Sequence, residues 1–171
     1  VLLVKLHPSP LNIFNLGVNI MAKLGTFESV DGVTHVFSFD YNDLKDSNFL
    51  NSSNQRAIAK QPRGACVEMA YAVEDVAFAG GTPNVVIDVG TTTGDPDEYI
   101  NAFDVDGSTT GVPAISTGDL FTGNQSQPVG GAAAETDILL EVTGDDYANL
   151  TAGRCVIALR IIDPLRHTKN L

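Results

Sequence analysis

Tryptophan is absent from this 171-residue chain, and cysteine and histidine are scarce, with two and three copies. Basic side chains are few as well: 10 Lys and Arg stand against 21 Asp and Glu, a net charge of −11. Each shortage removes a class of function. Two cysteines make no disulfide framework. Cys66 and Cys155 each lie in an apolar alternating run, where a free thiol is a common core residue. Neither has the neighbouring histidine that would mark a low-pKa nucleophile. His7 and His167 lie near the ends and His35 stands alone, too scattered for a metal site; His35 reads as a hydrogen-bonded structural residue. The deficit of Lys and Arg speaks against nucleic acid, whose phosphates are met by clustered cations, and against an anionic membrane surface. Only Lys5 is charged among the first twenty residues, so all the acid lies in the remainder. It reads as solubility rather than as a binding site.

Long apolar runs are missing too. Val1 to Ile20 is apolar, but Pro8 and Pro10 break it well short of the about 20 residues that a membrane helix needs. The same prolines break any signal-peptide apolar region. Met21-Ala-Lys-Leu-Gly25 looks like a fresh start, so residues 1–32 read as an N-terminal arm or an upstream extension. Residues 33–171 read as one domain, long enough to build a core without disulfides or metal.

What the chain does have is period-two hydrophobicity. Val33, Phe37 and Phe39 fall on one face with His35 between them; Val67, Met69, Tyr71 and Val73 on another, opposite Glu68, Ala70 and Ala72. Val85, Ile87 and Val89 alternate, as do Ile138, Leu140 and Val142. In the last run Cys155, Ile157, Leu159 and Ile161 oppose Arg154, Val156, Ala158 and Arg160. Asp40 to Asn48 reads as a loop or a short helical turn, and no window shows a helical apolar stripe. Repeated alternation predicts an all-β chain. Gly- and Pro-rich connections, Gly80-Gly81-Thr82-Pro83 among them, separate seven or eight short strands. That spacing predicts a two-sheet antiparallel sandwich of jelly-roll type. Gly118 to Gly131, polar and Gly-rich, reads as a surface loop able to contact a partner.

Candidate chemistry is thin. Asp95, Asp97, Glu98, Asp104 and Asp106 lie close in sequence, yet Asp104-Val-Asp106-Gly107 lacks the remaining ligand positions of a calcium loop. Turns in which carboxylates accept backbone N–H bonds explain them better. A glycosidase pair of acids is always available among 21 and so carries no weight. Without tryptophan a sugar-stacking cleft is disfavoured, although Tyr41, Tyr71, Tyr99 and Tyr147 could stack. Nucleophile elbow, dinucleotide fingerprint and phosphate loop are all missing. No catalytic, cofactor-binding or metal-binding residue is assigned, and no cofactor is expected.

One stretch carries a resemblance. Ala77-Phe-Ala-Gly-Gly-Thr-Pro-Asn-Val-Val-Ile-Asp-Val-Gly90 reads as a turn and a strand; Asp95-Pro-Asp97 and Tyr99-Ile100 lead into a second. Asp137 to Gly144 follows, and then Thr151-Ala-Gly-Arg-Cys-Val-Ile-Ala-Leu-Arg-Ile-Ile162. In this order, over roughly residues 64–162, the chain resembles the β-sandwich head decoration (cement) proteins of tailed phages. The resemblance implies a non-enzymatic virion protein on the outer capsid surface, bound to the major capsid protein. It also implies a homo-oligomer, a trimer rather than a dimer. The alternative is a receptor- or carbohydrate-binding module of a head or tail fibre.

Overall fold

The computed structural model describes residues 25–26, 33–115, 117–118 and 133–163. Among them the alternating runs become β1 (Gly25–Thr26), β2 (His35–Asp40), β3 (Gln55–Gln61), β4 (Cys66–Ala79) and β5 (Asn84–Gly90). β6 (Ile100–Asp104), β7 (Ala114–Ile115), β8 (Thr136–Asp145) and β9 (Ala152–Ile162) follow. Helix is limited, among these residues, to α1 (Tyr41–Lys45) and a 3-10 turn at Tyr147–Asn149. The all-β expectation holds.

Strand pairing is nested. β2 pairs with β9, β3 with β8, β4 with β7 and β5 with β6, all antiparallel. This is one long hairpin of eight strands, turned at β5–β6 and rolled so that successive rungs fall in alternate sheets. Cross-pairing of β4 with β9 and of β5 with β8 completes the sheets β1-β2-β9-β4-β7 and β3-β8-β5-β6. The connectivity is a jelly roll, with β1 added outside β2.

Apolar positions of the alternating strands fill the space between the sheets. Val85, Ile87, Leu140, Ile157, Leu159 and Ile161 are all buried, as the period-two reading requires. At one end α1 closes the sandwich. Asp40 caps it, accepting from the N–H groups of Asn42 (2.7 Å) and Asp43 (3.2 Å), while Asp43 accepts in return from the Asp40 N–H at 2.9 Å. The cap satisfies backbone donors that a short helix leaves open, and it drives Leu44 into the core. Phe49 then packs on Phe37 and Phe39 at 6.5 and 5.9 Å between ring centroids. In the β4–β5 connection Gly80 (φ 98°) and Gly81 (φ 68°) adopt left-handed backbone that side chains disfavour.

Two strands depart from simple alternation. In β4 the register slips between Val67 and Met69, again between Glu74 and Val76, and once more before Ala79. Each slip is a bulge that turns the following residues to the other face. Val67 points inward, but Met69, Tyr71 and Val73 do not join it; Ala70, Ala72, Glu74 and Phe78 are the buried residues. The common face expected for Val67, Met69, Tyr71 and Val73 is therefore corrected by the first bulge. β3, which alternation does not reveal, carries a slip between Ala57 and Ala59 and buries Gln55 and Gln61 beside Ile58.

Candidate interaction surface

β4 and β9 are the long strands of the first sheet, and the bulges of β4 decide what its outer face carries. Register gives one row of backbone neighbours across all five strands: Gly25, Val36, Ala158, Tyr71 and Ile115. A second row holds Ser38, Val156 and Val73. The side chains of β2, β4 and β9 in these rows face away from the core because their strand neighbours Phe37, Ala72, Ile157 and Leu159 face into it. Toward the β7 edge the apolar surface is open to solvent: Val76 is 41%, Ile115 51% and Val112 55% exposed. Ile115 stands beside Tyr71 in the first row, so the apolar residues of this face continue to its β7 edge, and extended apolar surface of this kind marks an interaction site.

Two ion pairs bound this patch. The extra residue of the first β4 bulge is Glu68, whose Oε2 lies 2.6 Å from Arg160 Nε; the extra residue of the second is Asp75, which binds Arg154. Arg154 and Arg160 sit six residues apart on β9 and face outward with Val156 and Ala158 between them. Exposed pairs of this kind add little stability. Their consequence is electrostatic: the face has apolar rows in its middle and charges at its ends, Arg160 with Glu68 at one and Arg154 with Asp75 and its register partner Asp40 at the other.

The second sheet differs. Its outward residues include Asp137, Glu141 and Thr143 on β8, Val86 and Asp88 on β5, Asp104 on β6, and Ala57 and Lys60 on β3. Lys60 bridges Asp137 (2.8 Å) and Glu135 (3.4 Å). Asp88 accepts from the Ala102 N–H at 2.6 Å, yet burial, with Glu141 and Asp95 nearby, raises its pKa above the ordinary carboxylate value. This is the acidic face of the molecule.

The acidic loop that invited a metal reading is occupied by backbone. Asp104 accepts from Gly107 N–H at 2.9 Å, Asp106 accepts from Val85 N–H, and Glu98 accepts from Thr91 N–H at 2.7 Å. Among the described residues no cluster of three or more potential metal ligands occurs. A buried carboxylate also ties the framework together. Glu74 accepts from Phe78 N–H (2.9 Å) and the Thr110 hydroxyl (2.6 Å), joining β4 to the β6–β7 connection. Sequence reasoning missed Glu74.

His35 is half-buried, and desolvation lowers its pKa. Thr34 Oγ1 donates to the Leu159 carbonyl (3.1 Å) and accepts from Ile161 N–H (2.8 Å). Its single proton is thereby used, so the 3.0 Å contact with His35 Nδ1 is a bond that the ring donates. Cys66 and Cys155 are both free. They stand opposite Ile162 and Glu74 on the β4–β9 ladder, about 23 Å apart along the strands and beyond disulfide reach. Burial pushes the Cys155 thiol up to about 12 and raises Cys66 as well. Most of the expected contact segments, residues 1–32 and 118–131, lie outside the described residues; of these β1 pairs with β2 and the Gly118 N–H bonds the Tyr99 carbonyl at 3.0 Å.

Among solved structures, a chain of the cyanophage Pam1 capsid asymmetric unit matches with a TM-score of 0.51 at 18% identity, over 88% of this chain and 99% of that one. The chain shares its fold with a phage capsid protein. A chain of the Ralstonia phage GP4 capsid gives a TM-score of 0.46 at 17% identity, over 82% and 90%. No protein-family model and no curated protein matches the sequence.

Proposed function

We propose that this protein is a non-enzymatic structural component of a phage virion. It decorates the outside of an icosahedral capsid and stabilises it by binding the lattice of the major capsid protein. The observation that carries this reading is a jelly roll whose likeness to the Pam1 capsid chain takes in nearly the whole of that chain. The likeness thus spans nearly all of one chain of that capsid and not a fragment of it. An apolar outer sheet face, beside carboxylates engaged in holding loops, suits a role in assembly.

Cement works by mass action: a protein that binds the assembled shell better than free subunits stabilises the shell. Many symmetric copies let each contact be modest. On sequence grounds we assign the capsid contact to residues 1–32 and 118–131, and the working form to a homo-oligomer, the resemblance favouring a trimer. The test is addition of the purified protein to undecorated capsids, followed by reconstruction. Hundreds of copies on the outer shell is the expected result; a dozen or fewer, at a vertex or fibre, would point to the receptor- or carbohydrate-binding alternative. Deletion of residues 1–20 should lower occupancy, and full occupancy by the truncated protein would remove the arm from the contact.

A further inference from the structure

We infer that the connection from Val105 to Ile115 is a strap that opens and closes on the outer edge of β4, and that Glu74 is its latch. The bulge at Glu68 that turns Ala70 and Ala72 inward turns Glu74 inward as well, leaving this residue 2% exposed. Enclosing a carboxylate is costly unless hydrogen bonds meet it. Two do: the Phe78 N–H of the same strand donates at 2.9 Å, and the Thr110 hydroxyl of the strap at 2.6 Å. One residue further on, the Gly111 N–H donates to the Glu74 carbonyl at 2.7 Å. Both bonds that draw the middle of the strap onto β4 therefore end on one residue.

Packing does little to hold the strap between its ends. Val105 is buried and its N–H donates to the Val85 carbonyl at 2.8 Å; at the other end Ala114 and Ile115 pair with Ala72 and Tyr71. From 107 to 113 no residue is buried, and Val112 is 55% exposed. The N–H groups of Gly107, Ser108 and Val112 bond locally, to Asp104 Oδ1 (2.9 Å) and to the carbonyls of Val105 (3.2 Å) and Thr109 (2.9 Å). A segment that buries no apolar side chain opens at a lower free energy than the core it lies on. What keeps it closed is the carboxylate, which loses one of its two donors whenever the strap lifts.

Opening changes the candidate surface. With the strap closed, the first row runs from Gly25 to Ile115, and β7 covers the edge of β4 at Tyr71 and Ala72. With the strap open, the row ends at Tyr71 and β4 presents unpaired backbone groups there, the kind of edge to which another strand adds. The latch thus sets how far the surface extends and keeps the edge of the longest strand covered. It is a property of the isolated chain and does not rest on the capsid reading.

Amide hydrogen exchange of the full chain, followed by NMR in urea below the unfolding transition, tests it. The Gly111 and Val112 amides should exchange faster than those of Ile157 and Leu159 on β9, at rates that barely respond to urea, because lifting the strap bares little surface. Thr110→Val removes the hydroxyl from an exposed residue and leaves the core intact. It should speed exchange at Gly111 and Val112 by roughly 10- to 100-fold, the loss expected for a hydrogen bond to a charged group. Thr110→Ser keeps the hydroxyl and should exchange as the parent does. If Gly111 and Val112 share the rate and urea response of the β9 amides, the strap is part of the core and the inference falls. Unprotected amides in the parent would mean that no closed state exists. Rates that Thr110→Val leaves unchanged, or that Thr110→Ser raises equally, would remove Glu74 as the latch.

Discussion

Replacing Gly153 with alanine tests whether the β4 bulges are held by packing. Gly153 has φ +136°, and a Cβ built on it would lie deep inside the Phe78 ring, within 2.6 Å of Cε1. Phe78 has little room to yield. Its N–H is fixed by Glu74 Oε1 at 2.9 Å and its ring packs on Phe39 at 6.3 Å. Two costs therefore add. Backbone strain for a non-glycine residue in this region is about 1–3 kcal/mol, and overpacking a filled site is about 1–3 kcal/mol. The sum is about 2–6 kcal/mol, a fall in Tm of roughly 4–24 °C for a domain of this length. Calorimetry of Gly153→Ala, Phe78→Ala and the double variant separates the two contributions. Phe78→Ala alone should cost about 3–5 kcal/mol, since a buried ring is lost. In that background Gly153→Ala should cost only the strain, about 1–3 kcal/mol. Equal cost of Gly153→Ala in both backgrounds would refute the claim that the ring occupies the place of the missing side chain.

Ile157, fully buried on β9, should cost about 2–5 kcal/mol when changed to Ala, whereas exposed Ile115→Ala should stay within about 0.5 kcal/mol; denaturant titration giving similar values would mean the sheet faces are misassigned. Thiol titration of the native protein should modify Cys66 slowly and Cys155 only after unfolding, because both thiols are raised by burial and Cys155 is fully enclosed; rapid reaction at Cys155 would contradict its placement. For His35, burial lowers the folded pKa below the ordinary value of 6.5, so the unfolded chain takes up the proton first. The stability this contributes is complete above about pH 6.5 and is lost as pH falls through the folded value. His35→Gln should flatten the melting midpoint between about pH 7 and pH 5, and an unchanged slope would assign that pH dependence elsewhere. EDTA should leave the melting midpoint unchanged, because Asp104, Asp106 and Glu98 are engaged by backbone N–H groups; a drop on chelation that calcium restores would make the acidic loop a metal site.

Sequence showed the strands in which one face is apolar and the other is not. Val85, Ile87 and Val89 are legible because nothing interrupts their alternation before the chain turns. β3 is invisible for the opposite reason: it buries Gln55 and Gln61, polar residues that alternation assigns to water. The structure accommodates them because their amides are satisfied. Gln61 donates to the Ala65 carbonyl (2.8 Å) and accepts from the Tyr99 hydroxyl (2.7 Å), while Gln55 donates to Glu141 at 2.6 Å. A buried polar group costs little once its partners are supplied, and those partners come from 4 to 86 residues away, where a local window cannot look.

The candidate surface was hidden in a more instructive way. Along β4, residues 67–73 are apolar enough on both faces that strict alternation yields a self-consistent answer with the wrong half pointing inward. A single extra residue at Glu68 reverses it, and Glu68 declares itself only through its pair with Arg160, 92 positions on. β9 did hold the clue. Its run from Cys155 to Leu159 contains no polar residue, although every second position already fills the core. A strand that faced water on its other side would have placed polar residues at Val156 and Ala158, as β8 does at Asp137 and Glu141. An uninterrupted apolar run therefore speaks for a strand covered on both faces. One cover is the second sheet. The outer face, with Val156 and Ala158 half-buried, is the surface where, more than in any cluster of reactive side chains, the function of this chain should be sought.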